Sequence, residues 1–431
     1  MRSSLLPLRI PAFPRLALAS LVNELGNWLG EIALAILVFA ETGSPVATAA
    51  LFVGIHFVPA LVTPPLVARL ERLSARAALA LLYTAEAAVF AALALLAGNF
   101  VLAGVLVLAA IDGALASSAR ALTRAAAASV LNPAGMLREG NALLNIGFTA
   151  GAAIGPALGG LLVAGAGAQA ALFADAASFL AVALMLAGAR ALPQATAAAE
   201  GILPRLRNGL RYVQENRVLR RLLGAQALAF VFFAVVIPIE VVFAKETLGA
   251  GDAGYGALLA SWGAGMVAGS LAFAALVRAS LAGLLAISTL AIGAAYLGIA
   301  AAPTLAVACA ASAIGGAGNG VQWVALITAV QAVTAGPYQA RVVAMLEAIA
   351  SAMPGIGFVI GGAVAAALDP RASYAVAGTG VLIVLGGAVL ALRGTDWRNA
   401  VDQAARSADE EPPPPDAHLP GGGSPNIARA V

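Results

Sequence analysis

The residues of this sequence that could do chemistry are ionisable side chains set inside long apolar runs. The first such run carries Glu24, Asn27 and Glu31. Seven residues make almost two helical turns, so the two carboxylates share a face about 10 Å apart, with Asn27 between them. Taking a carboxylate out of water costs several kcal/mol, which makes each one a candidate for function. A carboxylate in an apolar cavity can trade its charge for a proton. A later run places Gln226, Phe230, Phe233, Ile237 and Glu240 at offsets of 4, 7, 11 and 14, again one helical face. Aromatic rings ending on a carboxylate suit a bulky amphipathic or cationic ligand. The plainer alternative is lipid-facing phenylalanine with Glu240 at the outer interface. Asn319, Gln322 and Trp323 make a smaller polar face that either binds ligand or pairs with neighbouring helices.

Other chemistries are poorly served. The sole lysine, Lys245, follows Phe243 and Ala244, so no phosphate-binding Gly-Lys-Ser/Thr loop exists and a nucleotide-driven pump is disfavoured. No His-Glu-x-x-His or Gly-x-Ser-x-Gly stretch occurs, and His418 lies in a polar tail, so an enzyme is not expected. Neither a metal nor any other cofactor is expected, and nucleic acid is not an expected partner. The single Cys309 sits in an apolar run as a small packing residue.

These side chains are positioned by membrane helices. The composition is 61% hydrophobic and 10% charged, where soluble proteins carry about 25% charged residues. Twelve spans of about 20 apolar residues are read at 16–40, 46–68, 76–97, 100–122, 141–165, 169–191, 221–244, 254–277, 281–301, 304–330, 342–367 and 373–393. Of the 24 basic residues, all but Lys245 and Arg371 fall in the leader, the even-to-odd loops or the tail, which puts both termini in the cytoplasm. The expected organisation is an N-terminal six-helix bundle over 1–191, a cytoplasmic linker over 192–220, a C-terminal six-helix bundle over 221–395 and a disordered tail over 396–431. In the linker Leu206, Leu210, Val213 and Val218 lie near one face with arginines elsewhere, an amphipathic helix for the inner membrane surface. The excess of arginine over lysine, with abundant alanine, fits a GC-rich bacterial genome.

The fifth span holds glycines at 147, 151, 155 and 159, one side-chain-free face over about four turns. In lipid such a ladder lets a second helix approach closely. Pro156 removes a backbone donor and predicts a kink. The eleventh span repeats the theme with Pro354, Gly355, Gly357, Gly361 and Gly362, as repeated halves of a secondary transporter would.

Gly151, Gly155, Pro156, Gly159 and Gly160 together resemble the fifth-helix antiporter signature of exporters in the major facilitator superfamily. Glu24 to Trp28, Thr42 to Pro45, Asp175 to Phe179 and Leu248 to Gly256 resemble its enterobactin-exporter and macrolide-efflux branch. The loop between spans two and three keeps Glu71, Arg72 and Arg76 of the family's charge latch but loses its glycines and one arginine. The fourth-helix arginine of many antiporters is also absent. Ala109 stands where it would align, with Asp112 nearby.

The resemblance implies two six-helix bundles with helices one, four, seven and ten lining a central cavity. It implies proton-driven efflux of a bulky small molecule such as a drug, macrolide or siderophore, by a monomer in a bacterial cytoplasmic membrane. A proton-independent facilitator or lysophospholipid flippase on the same fold is the alternative. On this fold Glu24, Asn27 and Glu31 face the substrate path. Asp112 either takes part in coupling or pairs with an arginine such as Arg120. Glu86 and Asp175 are peripheral, Asp175 bonding near Ser178, and His56 either relays protons or makes an interhelical bond. Glu347 pairs locally with Arg341.

Overall fold

The computed structural model describes residues 3–70, 72–188, 210–276, 279–334 and 338–393. Length and apolarity alone mark eleven helices able to cross a membrane. The helical run Leu137–Ala187 has 51 residues, which would extend about 75 Å as one rod against a hydrocarbon core of about 30 Å. It cannot be one span. The chain reverses at Gly167, whose φ of 86° and ψ of 162° are open to glycine and strained for other residues. Dividing the run there gives twelve spans among the described residues.

In chain order these are α1 (Phe13–Thr42), α2 (Pro45–Leu70), α3 (Ala75–Gly98), α4 (Leu102–Leu131), α5 (137–166), α6 (168–187), α7 (Arg217–Thr247), α8 (Gly251–Ala275), α9 (Leu281–Ala300), α10 (Leu305–Ala332), α11 (339–367) and α12 (Pro370–Leu392). The first six and the last six form two bundles. Short polar residues start the helices: Ser44, Ser74, Asn216, Ser280, Thr304 and Asp369 each accept a backbone N–H of the first turn of α2, α3, α7, α9, α10 and α12.

Three spans are interrupted. In α2, Val53–Phe57 forms a wide π turn carrying His56. In α7 a 3-10 turn at Ile237–Ile239, centred on Pro238, separates the helix ending at Ala234 from the one that begins at Glu240. In α11 the helix restarts at Pro354. The backbone of α5, by contrast, stays helical through Pro156, and its one non-helical residue is Gly167.

The fourth span is longer than its sequence reading. It runs to Leu131 rather than ending near 122, so Arg124 is a helical residue within it, as is Arg120. The alanine-rich continuation is a strong helix former, and an arginine stem packs along apolar surface while its head reaches a polar space. Of the linker, 192–209 lies outside the described residues; 210–215 are helical, and Tyr212 stacks on Tyr338 with ring centres 4.2 Å apart. Glu71, the side chains of Arg341 and Glu347, and the tail from 396 also lie outside what is described.

Glycine sets how closely helices meet. A Cβ on Gly151 would stand 3.0 Å from the Glu24 Cβ, one on Gly155 2.6 Å from the Trp28 Cβ, and one on Gly159 3.3 Å from the Ile32 Cβ. The ladder on α5 therefore seats α1, the helix that bears the carboxylates. Gly160, one position on, faces the other bundle: a Cβ there would lie 2.9 Å from the Gly256 Cα of α8. At the same end, a Cβ on Gly362 of α11 would lie 2.6 Å from the Ala49 Cβ of α2. The bundles thus meet backbone to backbone through the halves farthest from the basic loops.

Candidate functional site: a cavity between the bundles

A cavity of about 400 Å3 lies between the bundles. Glu24, Asn27, Trp28 and Glu31 of α1 form one wall, with His56 of α2 and Arg120 of α4 beside them. Phe233 and Glu240 of α7, Trp262 of α8 and Tyr296 of α9 face them. A second compartment of about 410 Å3 continues toward the basic side, lined by Arg124, Gln226, Phe230, Gln322 and Trp323. Phe148, Phe233, Met266 and Asn319 border both, so the two compartments adjoin. The stripe on α1, the aromatic face of α7 and the polar face of α10 all converge here, as their spacing implied.

Glu240 directly follows the 3-10 turn in α7 and lines the cavity, and it carries no ion pair among the described residues. The aromatic wall is tightly interleaved. Trp262 and Tyr296 stack with centres 5.4 Å apart, and Phe233 meets the edge of Trp262 at 5.8 Å. The Tyr296 hydroxyl donates to the Phe233 carbonyl at 3.2 Å, beside the break.

The charged groups pair across helices. Arg120 Nε donates to Glu24 Oε1 at 3.0 Å, and its Nη2 reaches Oε2 at 3.5 Å. His56 Nε2 lies 3.2 Å from Glu31 Oε2, and the ring is packed against Phe52 and Phe358. The interhelical bond expected of His56 is present, and it is made to a cavity carboxylate. Asn27 makes no hydrogen bond from either side-chain atom among the described residues, although both atoms are buried.

Asp112 is 6% exposed and lines neither compartment, and Arg120 pairs with Glu24 rather than with it. The reason is reach: α4 runs on, carrying Arg120 two turns beyond Asp112 and alongside Glu24. Behind α1 lie two further buried acids. Asp175 fits the notch left by Gly26 and Gly30, where a Cβ on either would meet its carboxylate, and it accepts the Ser178 hydroxyl at 3.1 Å. Glu86 is fully buried, and neither carboxylate oxygen is bonded among the described residues. In the latch loop Arg72 is exposed in the α2–α3 turn, and Arg76 lies in the first turn of α3.

Sequence reasoning missed Arg120 as a cavity residue, together with Trp28, Tyr255, Trp262 and Tyr296. The signal for Arg120 was the unbroken alanine run beyond it. The aromatics of α8 and α9 had no polar companion at helical spacing to mark them.

The family model that matches is described as a transmembrane secretion effector of the major facilitator type, and it matches residues 2–418. No curated protein sequence matches the chain. Among solved structures, the nucleoside transporter NupG superposes with a TM-score of 0.72 at 12% identity, covering 89% of this chain and 99% of that one. A bacterial homologue of the iron transporter ferroportin in an inward-facing state gives 0.69 at 14% identity, covering 90% and 99%. A bacterial homologue of the human lysosomal transporter Spinster, inward-facing and unoccupied, gives 0.66 at 15% identity, covering 94% and 99%. At these identities the likeness is one of fold: twelve helices in two bundles around a central space.

Proposed function

Since the chain belongs to the transmembrane secretion effector family of major facilitator transporters, we propose that it exports a bulky amphipathic small molecule, such as a drug, macrolide or siderophore, in exchange for protons. The observation that carries this reading is the gathering of Glu24, Glu31 and Glu240 on one aromatic-walled cavity between the bundles.

The roles divide by partner. Glu24 is held by Arg120 and Glu31 faces His56. A proton taken up by either carboxylate cancels the attraction for its partner and loosens that cross-helix tie. A ligand that contacts the same oxygens competes with the proton, and that mutual exclusion is antiport. The coupling works only if proton and ligand each bind the two open states differently. Glu240 offers a carboxyl group in the compartment that Phe233 and Trp262 also line, where a cationic or polar group of the ligand is held. Gln226, Phe230, Asn319, Gln322 and Trp323 line the cytoplasmic compartment and meet the ligand first.

In this reading the protein works as a monomer in a bacterial cytoplasmic membrane, with both termini inside. The proton gradient is its energy source, with no cofactor. The bundles over 1–191 and 221–395 rock about the linker over 192–220, and Glu71, Arg72 and Arg76 steady one open state.

The test is gradient-driven efflux from liposomes, with substrate-induced proton release measured in detergent, for Glu24→Gln, Glu31→Gln and the double variant. Loss of both signals is expected. Full efflux from all three variants would overturn the assignment. Wild-type transport indifferent to the gradient would instead establish the proton-independent facilitator or lipid flippase.

A further inference from the structure

The C-terminal bundle holds a second, separate pocket of about 270 Å3 among α7, α9 and α12. It arises where two helices diverge. In their middle, α9 and α12 touch through glycine: a Cβ on Gly378 would lie 2.8 Å from the Gly293 carbonyl oxygen. Toward the basic side they part, and a pocket opens between Leu285 and Ala286 of α9 and Leu385 and Ala388 of α12. The gap is walled by Leu222 of α7, Leu285 and Ala286 of α9, and Val384, Leu385 and Ala388 of α12.

Exposure rises along the gap. Gln226, Thr289 and Gln322 are buried at its deep end, while Ala282, Val389 and Arg393 are exposed at its rim. The rim sits at the first turn of α9 and the last residues of α12, the depth of the cytoplasmic headgroups. From Leu281 to Thr289 is eight residues, so the slot reaches about 12 Å into the membrane. Arg393 is the one ionisable residue of the lining. Arg221 is a second cation nearby, its Nη1 donating to the Ala391 carbonyl at 2.6 Å and tying α7 to α12.

An apolar slot along the membrane normal, opening among headgroups beside a guanidinium, has the shape and charge of one lipid. We propose that this pocket binds an acyl chain of an anionic phospholipid of the cytoplasmic leaflet, with the lipid phosphate on Arg393. The chain replaces contacts the diverging helices cannot make to each other. The guanidinium meets phosphate oxygens in its forked geometry, and the negative leaflet supplies the charge. Gln226, Ala229 and Gln322 line both this pocket and the cytoplasmic compartment of the cavity. Gln322 Nε2 donates to Thr289 Oγ1 at 2.7 Å within that shared wall. The bound lipid therefore braces the back of the transport cavity, whatever the cargo and whether or not protons drive it.

The experiment is native mass spectrometry of the full-length, delipidated protein titrated with phosphatidylglycerol or phosphatidylcholine. One phosphatidylglycerol is expected to be retained about fivefold better than phosphatidylcholine, the effect of one arginine at an anionic surface. Arg393→Gln is expected to erase that preference, and Leu385→Trp to lower retention of both lipids. Leu271→Trp, at an exposed position of α8, is expected to change neither. Photoactivatable phosphatidylglycerol on the unmodified protein provides a readout that does not depend on any variant folding. Adducts concentrated on 281–289 and 384–393 support the site. Equal retention of the two lipids by wild type, or adducts spread evenly around the perimeter, would overturn it.

Discussion

Arg120 grips Glu24 with two nitrogens, from a helix 96 residues further along the chain. The Glu24 side chain is 4% exposed while that of Arg120 is 40% exposed. The carboxylate is therefore the partner that suffers if the pair is broken. Arg120→Ala is expected to lower stability by about 2 kcal/mol, the low end for a buried pair because the arginine is half in solvent. Combining it with Glu24→Gln is expected to recover most of that loss but not gradient-driven transport. Thermal melts of the single and double variants, set beside liposome efflux, check both parts.

The glycine ladder makes a graded prediction. The space for a methyl group shrinks from 3.7 Å at Gly147, measured to Leu21, through 3.3 Å at Gly159 and 3.0 Å at Gly151, to 2.6 Å at Gly155. Alanine substitutions are expected to impair transport in that order, with Gly147→Ala nearly silent. Gly155→Leu is expected to insert and fold yet lose function or leak. Surface expression and efflux of the set check the order, and a Gly155→Leu variant with wild-type efflux would detach the motif from the mechanism.

Trp28 and Trp262 line the main compartment and Trp323 the cytoplasmic one. A bound aromatic or cationic ligand is expected to quench intrinsic fluorescence. Trp262→Phe together with Trp28→Phe is expected to remove most of that response, and Trp397→Phe none of it. Fluorescence titration of each variant with the same ligand decides this.

The reversal at Gly167 and the asymmetry of basic residues fix the two sides of the membrane. In a Cys309→Ser background, Gly165→Cys is expected to react with an impermeant maleimide from outside the cell. Leu73→Cys, in the α2–α3 turn, is expected to react only after the membrane is opened. The opposite pattern would invert the topology.

Much of this was legible in the residues because the bilayer is a demanding solvent. The spacing of Glu24 and Glu31 put them on one helix face, and the resemblance to the major facilitator superfamily implied that this face lines the central cavity. Glycine at every fourth position has few uses in lipid other than close packing, and the ladder on α5 does pack closely. What could not be read depended on where long side chains reach. For Glu240 the residues left two places open, beside a ligand or at the outer interface, and it lines the cavity. Arg120 was offered as a partner for Asp112 on its own helix, and it reaches Glu24 on another helix instead. Asp112, lacking that partner, is buried where its spacing gave no hint of a role.

The contact between Gly160 and Gly256 bears on the speed of the transport cycle. Alternating access requires this seam to part and close again with every turnover. Interlocked leucines would have to leave one set of rotamers and find it again, and each closure would cost conformational entropy. Two bare backbones have no rotamers to lose and no knobs to withdraw from holes. Their attraction is the sum of many weak dispersion contacts and falls away steeply with distance. Such a seam holds firmly when shut and offers little resistance once it has begun to open, as a latch should in a machine that must cycle.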